Sequence, residues 1–142
     1  MQNNVQDFII VDNDVVTFEP QAPLNCFVVT TTIPAGASKT KCIQILSCIL
    51  GDEKKVKLNT GYTSGAFSTP GMGVLEISSL NSDQITKVSK IDLTPIILLG
   101  TKFNAKFTVQ APAKTSDSKP DPMSTYTLKG HFTNSNKKVL AS

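Results

Sequence analysis

Phe103-Asn104-Ala105-Lys106-Phe107-Thr108-Val109-Gln110 alternates apolar and polar side chains without a break. Successive side chains of an extended backbone point to opposite faces, so Phe103, Ala105, Phe107 and Val109 share one face and their neighbours the other. The stretch reads as a strand with one buried face. Beyond it, Ala111 to Met123 carries Pro112, Pro120 and Pro122 among Ser, Thr, Lys and Asp, with no apolar period. That composition predicts an extended connection and the place to expect mobility. Tyr126 to Phe132 returns as a strand, and Asn134-Ser135-Asn136 turns it into Lys137 to Ala141.

Working toward the N-terminus, Pro95 to Leu99 reads as a buried strand closed by Gly100, and Thr86 to Lys90 as a short edge strand. Ser79 to Gln84 reads as a turn or a single helical turn. Val74 and Ile77 are out of step, which predicts a short or bulged strand over Val74 to Ser78. The Gly-, Ser-, Thr- and Pro-rich stretch Asn59 to Gly73 is expected to be a loop. Lys41 to Leu50 and Lys54 to Leu58 flank Gly51-Asp52-Glu53 as a predicted hairpin. Cys26 to Ile33 is a β-rich strand, bounded by Pro20-Gln21-Ala22-Pro23 on one side and Pro34 to Ser38 on the other. Asp7 to Val11 and Val15 to Glu19 form a first predicted hairpin around Asp12-Asn13-Asp14. About ten short strands within 142 residues define one all-β domain over residues 1–142: a sandwich, a small barrel or a wedge of stacked sheets.

Charge and composition narrow the function. All 14 basic residues are lysine, the net charge is +3, and arginine and tryptophan are absent. Arginine supplies the planar fork that reads guanine edges, and aromatic side chains supply platforms for single-stranded bases. Nucleic acid is therefore not an expected partner. The longest apolar runs, such as Ile43 to Leu50 with polar Gln44 and Ser47 inside, fall far short of the ~20 residues of a membrane-spanning helix. The first residues lack the basic and apolar regions of a secretory signal, so signal-directed export is not expected.

Three cysteines, Cys26, Cys42 and Cys48, and one histidine, His131, are the candidate metal ligands. If Ile43 to Leu50 is one strand, Cys42 and Cys48 lie roughly 20 Å apart, too far for one zinc without a sharp bend at Ser47. No metal or cofactor is assigned, and the thiols read as small buried apolar groups. No nucleophile elbow accompanies His131, Asp52-Glu53 reads as a charged turn, and Pro70-Gly71-Met72-Gly73 lacks the third glycine and following helix of a dinucleotide loop. No catalytic residue is assigned, and no enzyme is expected.

The order and spacing of certain turn and apolar residues resemble a known family. They begin with Gly51-Asp52-Glu53, the run Tyr62-Thr63-Ser64-Gly65-Ala66-Phe67-Ser68-Thr69-Pro70-Gly71-Met72-Gly73-Val74-Leu75-Glu76-Ile77, and Leu80 with Asp83-Gln84. They continue through Leu98-Leu99-Gly100, the alternating Phe103 to Val109, Ala111-Pro112-Ala113, Pro120-Asp121-Pro122, Gly130, Phe132, Asn136 and Ala141-Ser142. Over residues 41–142 this resembles the small PAAR-like spike-tip proteins encoded with contractile injection systems, phage tail-like and type VI-like. The resemblance implies a structural β-rich cap on the blunt end of a trimeric spike, one monomer on a three-fold partner, with effector cargo as a further partner. It also implies a cytoplasmic protein before assembly that becomes part of a secreted or extracellular particle. The alanine- and arginine-containing repeats of the larger PAAR family are absent, and its tip histidines have no counterpart except His131, so no tip metal is carried over.

A cap must present apolar surface to its partner. Tyr62, Phe67, Met72, Val74 and Leu75 are the candidate partner-binding residues, with core filling as their alternative role. Two competing readings are a stand-alone β-sandwich binding module for a protein or carbohydrate, marked by a concave aromatic-lined pocket, and an enzyme pairing His131 with a reactive cysteine.

Overall fold

The computed structural model describes residues 7–35, 41–42, 45–46, 48–91, 94–134 and 140–141. Its elements are β1 (Asp7–Phe8), β2 (Asp14–Glu19), β3 (Leu24–Cys26), β4 (Thr30–Ile33), β5 (Lys41–Cys42), β6 (Ile45–Leu46), β7 (Lys57–Ser64), β8 (Phe67–Ser79), β9 (Ile85–Ile91), β10 (Thr94–Ile97), β11 (Phe103–Ala111), β12 (Thr125–Thr133) and β13 (Leu140–Ala141). Short 3-10 turns at Asp52–Lys55 and Ser82–Gln84 are the only helical pieces among the described residues.

The alternating stretch is β11, the middle of a seven-stranded antiparallel sheet ordered β3-β7-β8-β11-β12-β2-β4. Phe103, Ala105 and Phe107 face inward and are buried, as the period-two pattern dictates. The two edge strands, β3 and β4, are consecutive in sequence. Phe27 N–H donates to Gly61 O at 3.0 Å and Phe18 N–H to Val29 O at 2.8 Å, so the linking residues bond to both sides. The single predicted strand Cys26 to Ile33 is thus two strands. Its first part pairs with β7 and its second with β2, and the passage between them curls the sheet closed into a barrel. The curl joins the two edge strands through one run of chain and leaves only the free sides of the short β3 and β4 as edges.

The barrel interior is filled by aromatic rings. Phe18 meets Phe103 edge-on at 5.8 Å, Phe103 meets Phe132 at 5.1 Å, and Tyr62 meets Phe107 at 4.9 Å. Inward-facing glycines make this packing fit: a Cβ at Gly73 would enter the Phe107 ring and one at Gly130 the Phe103 ring.

Alternating strand directions sort the connections into two ends. The Pro20–Pro23 segment with its cis Ala22–Pro23 bond, the two-residue Gly65-Ala66 turn and residues 112–124 all lie at one end, called here the strap end. The described parts of 34–56 and 80–102 leave from the opposite end and, with β1 and β13, build a second layer there. In it, β9 pairs with β10, β1 with β13 and β5 with β6, while Ile9 bridges Leu98 and Ile49 bridges Ile96.

Several expectations are corrected. Asp7 to Val11 forms no hairpin with Val15 to Glu19. Ile9, Ile10 and Val11 are all buried, so this segment lies between layers: Ile10 joins the barrel core, and Ile9 and Val11 pack with Ile96 and Leu98. Asn59 to Gly73 is not a loop; it supplies most of β7 and the first half of β8. Its small residues are needed there because a Cβ at Gly71 would collide with the backbone of Ala111 and Ala113. Among the described residues, Lys54 to Leu58 does not pair with Lys41 to Leu50: Asp52–Lys55 is a 3-10 turn, and β7 pairs with β8 instead. The buried Asp52 carboxylate accepts the Ile49 N–H at 3.0 Å, and Glu53 accepts the Gly51 N–H, which shapes that turn.

Other readings match. Asn81 and Gln84 form a capping box around the single 3-10 turn. The irregularity expected in Val74 to Ser78 is a register shift at Ser78, where Asn104 pairs with Ser79 and Ala105 with Ile77. Pro34 to Ser38 and the turn Asn134 to Asn136 run largely outside the described residues.

Candidate partner-binding surface

The outer face of the barrel changes character along its length. On β7 and β8 the inward positions are Thr60, Tyr62, Ser64, Gly71, Gly73, Leu75 and Ile77, leaving Gly61, Met72, Val74 and Glu76 to face outward. Register sets these in rows. Lys57, Glu76 and Lys106 lie abreast across β7, β8 and β11, with Lys106 Nζ 3.5 Å from Glu76 Oε1. Toward the strap end, Gly61, Met72 and Ala111 lie abreast, and the Phe27 ring rests over Gly61. Phe27 is 56% exposed and Met72 is 48% exposed. Val28, also exposed, adjoins them in the chain. The charged row therefore gives way to an apolar one as the strands approach the strap end.

The five predicted residues divide between this surface and the interior. Tyr62 and Leu75 are fully buried and Phe67 is half-buried against the core, while Met72 and Val74 face outward. Sequence reasoning missed Phe27 and Val28. The available signal was two adjacent bulky apolar residues in a β-rich run, which cannot both point inward on one extended strand.

Tyr62 has a polar role as well. Its hydroxyl donates to Asp121 Oδ2 at 2.9 Å and accepts the Ala113 N–H at 3.0 Å. Tyr126 also donates to Asp121 Oδ2 and accepts from the Ser64 hydroxyl at 2.9 Å. The Met123 N–H completes the carboxylate's partners at Oδ1, 2.9 Å away. Burial pushes the Tyr62 phenol up to about 12, the Ala113 N–H opposing and Asp121 reinforcing the shift. The Tyr126 phenol is raised for the same first reason, burial, with Asp121 next.

The residues singled out for chemistry are held apart. His131 lies on the outer face, where its Nδ1 is 2.9 Å from Glu19 Oε2, and Lys102 Nζ lies 2.9 Å from Glu19 Oε1. These two hydrogen bonds, His131 foremost, hold the Glu19 carboxyl below its ordinary value. Cys26 and Cys48 are buried free thiols. Burial pushes Cys26 up to about 11 and Cys48 higher still, with Asp52, Asp14 and Asp12 adding to the latter. Such thiols carry little thiolate at neutral pH. The side chain of Cys42 lies outside the described residues. Among those described, no three His, Cys, Asp or Glu side chains gather to hold a metal ion, and no helix is long and apolar enough to cross a membrane.

The opposite end of the barrel carries an open cleft of about 410 Å³ lined by residues 50, 51, 53, 54, 78–80 and 85. None of these is aromatic, so the cleft lacks the stacking platform of a sugar-binding module.

None of the curated proteins compared with this chain matches it. A family model described as contractile injection system spike tip protein matches residues 5–142, nearly the whole length. The match extends the resemblance seen over residues 41–142 into β1 to β4, of which β2, β3 and β4 belong to the seven-stranded sheet. An all-β fold closed on itself and a family match across all of its strands agree, and the chain belongs to the contractile injection system spike tip proteins.

Proposed function

We propose that this spike tip protein sits as one copy on the blunt end of a trimeric spike and acts mechanically, aiding envelope puncture or effector delivery. The observation that carries the reading is the closed barrel with its ring-filled interior. A close-packed interior resists compression and transmits strain, and a curled sheet whose edge strands are only three and four residues long offers little strand to pair with wrongly under load. In this reading the outward-facing Phe27, Met72 and Val74 contact the spike, and the buried Tyr62 and Leu75 with the half-buried Phe67 hold that surface in shape. The chain is made in the cytoplasm and becomes part of the particle on assembly.

The test is native mass spectrometry of the tagged chain purified with its cognate spike. One copy per spike trimer is expected. Replacing Met72 and Phe27 by aspartate is expected to abolish the complex while leaving the melting temperature unchanged, because both side chains are exposed. A chain recovered only as a free monomer beside intact spike trimers would sink the reading.

A further inference from the structure

The 112–124 connection is an unusual piece of the barrel. Only Ala113 and Asp121 within it are buried, and Pro112, Lys114, Pro120, Pro122 and Met123 are exposed. Its outer part bonds to itself: Thr115 N–H donates to Lys119 O at 2.9 Å, Ser118 N–H to Thr115 O at 2.9 Å, and Lys119 N–H to Thr115 Oγ1 at 3.1 Å. Asp121 N–H donates to Ala113 O at 2.7 Å, closing the two limbs on each other. Pro112, Pro120 and Pro122 have no N–H with which to tie the strap down further.

What holds this strap to the barrel is small and polar. Lys114 and Thr69 exchange backbone bonds at 2.9 and 3.0 Å, Ala113 N–H reaches the Tyr62 hydroxyl, and the Asp121 carboxylate receives Tyr62 and Tyr126. A segment with few buried apolar contacts and much exposed backbone belongs to the low-stability end of a native structure. The rings beneath it do not share that weakness. Tyr62 and Phe107 are fully buried, and Tyr62, Phe107 and Tyr126 pack mutually at 4.9, 6.1 and 6.4 Å.

We propose that residues 112–124 form a latched strap that opens as a unit while the barrel stays folded, with the Asp121 carboxylate as the latch on Tyr62 and Tyr126. Opening removes the strap's buried Ala113 and Asp121 from the barrel mouth and uncovers the hydroxyl ends of both tyrosines, giving the strap end two states on one scaffold. Asp121 acts here by positioning the strap.

The test is residue-resolved amide hydrogen exchange on the full chain, wild type and D121A, in rising sub-denaturing urea. In the wild type, the amides of Ala113, Lys114 and Asp121 are expected to exchange at least about tenfold faster than those of Ala105 and Phe107, with a weaker dependence on urea, because local opening exposes little surface. D121A is expected to speed the strap amides by about 10- to 100-fold, the loss of hydrogen bonds to a charged group, with the strap still faster than β11 and still weaker in its urea dependence, because the carboxylate's bonds are lost in strap opening and in global unfolding alike. Strap and β11 amides that exchange at one rate with one urea dependence in the wild type overturn the proposal, as does a D121A chain whose strap amides exchange no faster than those of the wild type. If D121A does not fold, D121N, which keeps the shape and one acceptor oxygen, takes its place beside the wild-type urea series.

Discussion

The hydroxyl of Tyr62 and the carboxylate of Asp121, 59 residues apart in the chain, meet at 2.9 Å inside the strap end of the barrel. The contact joins the middle of β7 to the connection between β11 and β12. It makes one phenol both a core ring and a hydrogen-bond post, and its energetics are open to direct measurement.

Tyr62 and Tyr126 are the protein's two tyrosines, and tryptophan is absent, so tyrosinate absorbance reports on this site alone. With the Tyr62 phenol raised from 10.0 to about 12, both the titration and the alkaline limit of stability follow. The folded value lies above the unfolded one, so the contribution is fully present below pH 10 and lost as pH rises toward 12. Native protein is expected to show no tyrosine ionising at the ordinary value, and alkaline unfolding to coincide with tyrosinate appearance. A normal titration of both phenols in folded protein would contradict the site.

The glycines of the β7–β8 hairpin differ in what surrounds them. A Cβ at Gly73 would enter the Phe107 ring and the Thr108 carbonyl, whereas one at Gly61 would meet only the exposed Phe27 ring and, at ordinary contact distance, the Gly71 carbonyl. G73A is expected to cost about 1–3 kcal/mol by overpacking. G61A should stay within about 0.5 kcal/mol because Phe27 can swing aside into solvent. Urea unfolding of the two variants checks the order, and equal losses would contradict the inward and outward assignment.

Cys26 and Cys48 should be inert while the barrel is folded. Their raised thiols and their burial both oppose thiolate chemistry. Timed alkylation near neutral pH, with peptides read by mass spectrometry, is expected to label neither residue in native protein and both after denaturation. Rapid native labelling of Cys26 would revive the reactive-cysteine reading.

Glu19 links acid pH to the outer face. His131 and Lys102 lower its folded value below the 4.5 of the free group, so its contribution is present above that pH and lost as pH falls through the lowered value. All three side chains are substantially exposed, and such pairs contribute only about 0–1 kcal/mol, less in salt. E19Q is therefore expected to shift neutral-pH stability by no more than that, and to flatten the acid limb of a pH–stability curve. A loss of several kcal/mol at neutral pH would show the site to be misjudged.

Local chemistry alone determined much of the fold. The unbroken alternation of Phe103 to Val109 specified a half-buried strand, Pro20 to Pro23 ended one strand and began another, and Ser79 to Gln84 announced a turn or a single helical turn. Each of these depends on neighbours within a few residues, which is the range over which backbone sterics and side-chain periodicity act. The nature of Asn59 to Gly73 was decided elsewhere. Its glycines and threonines look like loop residues until Phe107 and the Ala111–Ala113 backbone occupy the space that larger side chains would need. The same holds for the surface. Whether Tyr62 or Met72 meets solvent depends on barrel closure through Phe27 to Val29, and closure rests on hydrogen bonds to residues more than thirty positions away in Gly61 and Thr60. Tertiary packing made Tyr62 and Leu75 core residues, left Met72 outside, and brought Asp121 to its two tyrosines, because burial is a property of what the rest of the chain places nearby.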